Sequence, residues 1–290
     1  MKQQLQIQRE NELLSLIEGV TYARVTSWYG CSSRDLHLDL IVPKNRAGQN
    51  IRPAILWICG GAFCVMDRAV WIPELVSFAR RGYVVASLEY RTTNEGAFPL
   101  QIIDVKAAIR FLRANAGEFC IDGKRIFVMG ESAGGTLACL AGLKGNQTEY
   151  DVGQHLNFDS RVQGVIDLYG ITDFGAMRRA QPDPAAFGVP SWALESFSGG
   201  NTAEQLERVS PIFSVTKDAP PFLILHGDAD RVVPLEQSER MYEALLRERI
   251  PTRFYTLKGA GHGDDLFFQV DVVRLVAAFL DAVPSDIPDD

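Results

Sequence analysis

Three groups of residues, far apart in the chain, have types and spacings that could support nucleophilic acyl chemistry. The first is Gly130, Glu131, Ser132, Ala133, Gly134, set between the apolar run 126–129 and the small, apolar stretch 136–142. A G-x-S-x-G between a strand and a helix is the mark of a sharp turn that lifts a serine hydroxyl clear of its own backbone. The glycines have a steric task there: strand and helix approach closely and the serine takes a strained conformation, so its neighbours must lack bulk. The pentapeptide alone is only moderately specific, and it is the strand and helix patterns on its flanks that give it weight.

A serine hydroxyl is a poor nucleophile near neutral pH, so it needs a neutral imidazole to take its proton and an acid to orient that imidazole. His262 is the candidate base, in the glycine-rich loop 259–263 between the last strand pattern and the last helical one. It must be neutral to act, so activity should fall on acidification. Of the other three histidines, His37 lies in an early strand pattern and His155 in a polar connection. His226 ends a strand and reads as a packing or loop-bracing residue.

The acid is expected in the loop 227–234, which offers Asp228 and Asp230. Asp230 is preferred, because Asp228 is placed to make turn hydrogen bonds through its short side chain. Glu236, on a helix face, and Asp264, after the histidine, are weaker candidates. The third group is Cys59, Gly60, Gly61, Ala62, Phe63, directly after the apolar run 54–58. Acyl transfer develops negative charge on the carbonyl oxygen, and fixed N–H donors must meet it. Gly61 and Ala62, with Ala133, are the expected donors of this oxyanion hole; the bland alternative for the loop is an ordinary glycine turn.

The elements that must position these groups follow an alternating pattern. Apolar, β-branched runs at 20–26, 36–42, 54–58, 83–88, 125–129, 164–168, 222–225 and 252–256 read as eight strands. Helical patterns lie at 70–81, 101–116, 132–145, 235–249 and 265–282, with Pro234 at a helix start. The alternation predicts an α/β fold, a mostly parallel sheet with helices on both faces. At 290 residues the chain reads as a single domain, 1–290. Residues 171–201 break the pattern with prolines, glycines and scattered aromatics, and are expected to form a lid insertion over the catalytic face. The acidic tail 284–290 is expected to fray.

A formal net charge of -7 excludes a basic stripe for nucleic acid. No run of 18 apolar residues suits a membrane span, and the polar start 1–10 has no signal-peptide core, so a cytoplasmic protein is expected, with secretion after signal removal left open. Five cysteines, Cys31, Cys59, Cys64, Cys120 and Cys139, are an odd count without metal-ligand spacing and read as reduced thiols. No metal or organic cofactor is implied, and a homo-oligomer is compatible with the sequence.

Taken together, the loop 59–63, Glu89-Tyr90-Arg91, Phe98-Pro99, Asp104 through Ala108, the elbow 130–135, the stretch 226–234 and Gly261-His262-Gly263 resemble the esterase/lipase group of α/β hydrolases. They are most similar to the bifunctional feruloyl and acetyl-xylan esterase type, over residues 35–282. The resemblance implies the α/β-hydrolase fold and a serine carboxylesterase with Ser132 as nucleophile, His262 as base and Asp230 as the orienting acid. It implies a small-molecule or carbohydrate ester as substrate, with short or aromatic acyl groups such as acetyl or hydroxycinnamoyl on plant cell-wall sugars. Phe63, Trp71, Phe174, Phe187, Trp192 and Phe197 are candidates to line the pocket, with Phe63 and Trp192 chosen as substrate contacts. The sequence departs from the family at Cys59, where a loop-bracing histidine is usual; activity is expected to survive, and Cys59 reads as a packing residue. Residues 1–19 are too short for a long N-terminal helical cap, which leaves access to 171–201. Two alternatives stay open, an arylformamidase-like amidase and a non-catalytic small-molecule receptor of the same fold.

Overall fold

The computed structural model describes residues 2–8, 12–26, 30–44, 51–181, 183–190 and 192–284. Eight strands form one sheet: β1 Leu14–Thr26, β2 Ser33–Pro43, β3 Arg52–Ile58, β4 Val84–Leu88, β5 Ile121–Glu131, β6 Val165–Leu168, β7 Phe222–Gly227 and β8 Thr252–Leu257, in the order β1-β2-β4-β3-β5-β6-β7-β8. Only β2 runs against its neighbours; from β4 to β8 every pairing is parallel. This is the mostly parallel eight-stranded sheet expected from the alternation, and each of the eight apolar runs falls on its own strand.

The burial of each strand explains its composition. Central β4 and residues 54–58 of β3 are buried on both faces, as parallel strands covered by helices must be, so they read as unbroken apolar runs. Edge strand β1 begins at Leu14 rather than residue 20, because its early residues alternate between half-buried and exposed and carry a register shift between Ile17 and Val20. The α-helices among the described residues are α1 Ile72–Ala79, α2 Leu100–Ala114, α3 Ala116–Phe119, α4 Ala133–Leu143, α5 Phe174–Ala180, α6 Ala193–Ser198, α7 Ala203–Val209, α8 Glu236–Arg247 and α9 Val270–Ala282. Pro234 sits just ahead of α8, whose N-cap is Leu235, and the pattern at 265–282 divides into a 3₁₀ turn, Asp265–Phe268, and α9.

The stretch 171–201 is more regular than its sequence indicates. It folds into α5, a 3₁₀ turn at Pro184–Phe187 and α6. Asp173 caps α5 by accepting from the Ala176 N–H at 2.8 Å, while Phe174 and Phe197 anchor the two helices in the core. The frayed tail expected at 284–290 lies, apart from Pro284, outside the described residues. Among the described residues no helix is long and apolar enough to cross a membrane.

The strand order positions the site. β3 lies between β4 and β5, so the chain leaving β3 turns to one side and the chain leaving β5 to the other. A crevice opens at the carboxyl ends of the strands at such a switch in strand order. The loops that carry the three sequence groups leave that same edge of the sheet, after β3, β5, β7 and β8.

Candidate active site

Ser132 sits between β5 and α4 with φ 54° and ψ -120°, a conformation that L residues rarely hold. The surrounding glycines permit it. A Cβ on Gly130 would lie 2.2 Å from the Gly134 carbonyl oxygen, and one on Gly134 would lie 1.9 Å from the Ile58 carbonyl oxygen. The turn is therefore wedged against β3 and against the first turn of its own helix, and larger residues have no room at either position.

His262 bridges the other two predicted residues. Its Nε2 lies 2.9 Å from Ser132 Oγ and its Nδ1 lies 2.7 Å from Asp230 Oδ2. Nδ1 faces a carboxylate and must carry the proton, which leaves Nε2 as an acceptor for the serine hydroxyl. The loops of acid and base are tied together. The Ala229 N–H donates to the Ala260 carbonyl at 3.0 Å, the Gly259 N–H donates to Asp228 Oδ1 at 2.6 Å, and a Cβ on Gly227 would meet the Ala260 oxygen at 2.1 Å. Asp228 thus makes the turn contact expected of it, and Asp264 Oδ2 accepts from the Gly261 N–H at 3.2 Å instead of meeting the imidazole.

Asp230 is fixed from every side. Its Oδ1 accepts from the N–H groups of Val232 and Val233 at 2.8 and 2.9 Å. Burial works against its charge, yet hydrogen bonds from His226 and His262, the pull of the His262 charge and the Val233 N–H together hold its carboxyl well below the usual carboxylate range. His226 is fully buried, with Nδ1 2.7 Å from Ser238 Oγ and Nε2 2.9 Å from the Val233 carbonyl oxygen. It is the loop brace that its sequence position indicated.

The loop after β3 carries consecutive left-handed residues, with φ 117° at Gly61, 51° at Ala62 and 62° at Phe63. A Cβ on Gly61 would come within 2.0 Å of the Val65 carbonyl oxygen. Among the described residues the N–H groups of Gly61 and Ala62 have no protein acceptor, and Ala133, as the first residue of α4, has no intrahelical one. Cys59 is buried, and burial followed by the nearby Glu131 charge pushes its thiol up to about 12. That environment suits packing and not nucleophilic sulfur.

The aromatic expectations divide. Phe63 has no exposed surface: its ring stacks on Phe197 at 3.8 Å and packs near Phe174 at 6.0 Å. It anchors the loop and offers no open wall to a substrate. Trp192 is half exposed ahead of α6 and makes no ring contact with the site among the described residues. Trp71 is half buried and stacks on Phe268 at 4.6 Å, just beyond the His262 loop. The Phe187 side chain lies outside the described residues.

Two residues that the sequence reading passed over belong to the site. Tyr169, at the end of β6 with φ 45°, sets its ring edge-on to His262 at 4.8 Å. Glu131, the variable residue before the nucleophile, is buried under the loop after β3, where Oε1 accepts from the Gly60 N–H and from Trp71 Nε1. Burial raises its pKa. Neither had a spacing signal, since the motif leaves its x positions free and Tyr169 stands out only as the residue at a central strand's carboxyl end.

A mostly parallel eight-stranded sheet, with a serine raised on a strand-to-helix turn and facing histidine and aspartate from later loops, is the arrangement of the α/β-hydrolase group. Within that group the chain belongs to the BD-FAE family, whose profile matches residues 38–245. It is 37% identical over 220 residues to Esterase LipC of Mycobacterium tuberculosis, covering 74% of this chain and 53% of that one. The chain spans 53%, 55% and 61% of the length of three curated relatives it matches. Among solved structures it is similar to a truncated form of a carbohydrate esterase from gut microbiota, at TM-score 0.78 and 28% identity over 92% of this chain and 95% of that one. It is also similar to Thermogutta terrifontis esterase 2 phosphoramylated by tabun, at TM-score 0.75 and 25% identity over 94% and 96% of the two chains.

Proposed function

We propose that this protein is a serine carboxylesterase that works through an acyl-enzyme, acting on short or aromatic acyl esters of the acetyl or feruloyl type, including those on plant cell-wall carbohydrates. The observation that carries the proposal is the placement of His262 between Ser132 Oγ and Asp230 Oδ2. Ser132 attacks the ester carbonyl while His262 takes its proton and returns it to the leaving alcohol; Asp230 fixes the tautomer and stabilises the imidazolium. Water then repeats the cycle on the acyl-enzyme. Gly61, Ala62 and Ala133 supply the N–H donors for the developing oxyanion, each worth about 100- to 1000-fold in rate. The esterase names of the relatives support the reaction class, and the carbohydrate esterase similarity supports the substrate class. A single domain over 1–290, with 171–201 covering the substrate entrance, completes the reading.

The test is hydrolysis of a p-nitrophenyl ester series and methyl ferulate by wild type and Ser132→Ala. Turnover that vanishes in the variant is expected, with acetyl or feruloyl esters preferred. A wild type inert toward all of them would refute the proposal.

A further inference from the structure

The loop that carries Gly61 and Ala62 holds a strained backbone, and strain of about 1–3 kcal/mol per residue persists only where the surroundings enforce it. Most of the enforcing contacts act on carbonyl groups or on a ring. The Tyr90 hydroxyl donates to the Cys59 oxygen at 2.9 Å, the Thr93 N–H to the Phe63 oxygen at 2.8 Å, and the Asn94 amide to the Cys64 oxygen at 2.8 Å. Phe63 is stacked on Phe197. Among the described residues one side chain takes hold of an N–H at the start of this loop: Glu131, through the Gly60 N–H.

That carboxylate is itself positioned. Oε1 also accepts from Trp71 Nε1 at 3.2 Å, and the Trp71 ring is pinned by Phe268. A Cβ on Gly60 would fall 2.6 Å from both carboxylate oxygens, so the group lies directly against the Gly60 Cα. We propose that Glu131 is a positioning residue of the reaction, fixing the Cys59–Gly60 peptide so that the N–H groups of Gly61 and Ala62 meet the ester carbonyl oxygen. Because Glu131 immediately precedes Ser132, one strand end then sets nucleophile and oxyanion donors in mutual register. The inference rests on the esterase reading above.

The experiment compares wild type, Glu131→Gln, Glu131→Ala and Ser132→Ala on p-nitrophenyl acetate. Glutamine keeps an oxygen that can accept both N–H groups; alanine removes it. A displacement of the donors by about 1 Å costs on the order of 100-fold, so kcat of Glu131→Ala should fall about 10- to 100-fold with KM changed less than about threefold. Glu131→Gln should remain within about fivefold of wild type, and the affinity of a trifluoromethyl ketone, which binds as an oxyanion adduct, should fall in step with kcat. An undiminished kcat in Glu131→Ala, or a Glu131→Gln as slow as Glu131→Ala, overturns the inference. Activity retained by Ser132→Ala would instead overturn the esterase reading. If Glu131→Ala does not fold, Trp71→Phe keeps the ring and deletes the indole donor; a kcat reduced about two- to fivefold is expected, and an unchanged kcat overturns the inference.

Discussion

Replacing Asp167 by asparagine should stabilise the protein, and only above the pH at which the aspartate ionises. Asp167 is fully buried near the carboxyl end of β6, below the nucleophile helix, where Cβ atoms on Gly135 or Gly170 would come within 2.4 and 2.6 Å of its Oδ1. Oδ1 accepts from the Gly170 N–H at 3.0 Å, but Oδ2 has no conventional partner beside the Cys139 thiol. Burial pushes the carboxyl up to about 6 from an ordinary 3.8, with the Gly170 N–H and the His226 charge offsetting only part of the cost. A raised folded-state pKa means that the native state holds its proton more tightly than the unfolded chain. The associated stability is complete below about pH 4 and is lost as pH rises through about 6.

The loss at neutral pH is about 1.4 kcal/mol per pH unit over about two units, or roughly 3 kcal/mol. Asparagine keeps the acceptor for Gly170 and carries no charge, but its amide donors lack partners at a cost of about 1–3 kcal/mol, so a net gain of up to about 2 kcal/mol is expected at pH 8. With an unfolding entropy of about 2 cal/mol/K per residue, that gain raises Tm by up to about 3 °C. Thermal melts of wild type and Asp167→Asn between pH 4 and 8 should show the variant's Tm climbing relative to wild type as pH rises, from at or below wild type near pH 4. A difference independent of pH, or one that falls as pH rises, would refute the reasoning.

Other substitutions probe the site's geometry. Gly134→Ala drives a methyl group to 1.9 Å from the Ile58 backbone oxygen, so kcat should fall by about 100-fold or more; steady-state rates near wild type would mean that the elbow tolerates bulk. Asp230→Asn should lower kcat on the order of 10³- to 10⁴-fold by inverting the imidazole's hydrogen-bond partner, whereas Asp228→Asn, which meets only the Gly259 N–H, should cost less than about tenfold. Equal losses in the two variants would contradict the assignment of the acid. Iodoacetamide at pH 8 should leave Cys59 unmodified in the folded protein, since its thiol is buried and held protonated. Peptide mass mapping that finds Cys59 alkylated as fast as the exposed Cys31 would place it in a different environment.

The sheet was legible because β4, β6 and β7, with residues 54–58 of β3 and 126–131 of β5, are buried on both faces, and burial on both faces forces continuous apolar runs. The three chemical groups were equally plain, since glycines such as Gly61, Gly130, Gly134 and Gly227 answer backbone clashes that no other residue avoids. What stayed hidden has a common physical cause. α5 and α6 are seven and six residues long, too short to show a helical period, and they are held by Phe174 and Phe197 packing onto Phe63 from elsewhere in the chain. For the same reason Phe63 read as a pocket wall and proved to be an anchor. The role of Glu131 depends on β5 lying beside β3, an adjacency of residues 71 apart that no local spacing reveals.

The central claim is that Ser132 is a nucleophile activated by His262. Labelling with a fluorophosphonate, followed by intact mass and peptide mapping, tests it most directly. One adduct per chain on Ser132, lost in His262→Ala, is the predicted result. An adduct on another residue, or ester turnover that continues with Ser132 unlabelled at saturating probe, would contradict the account.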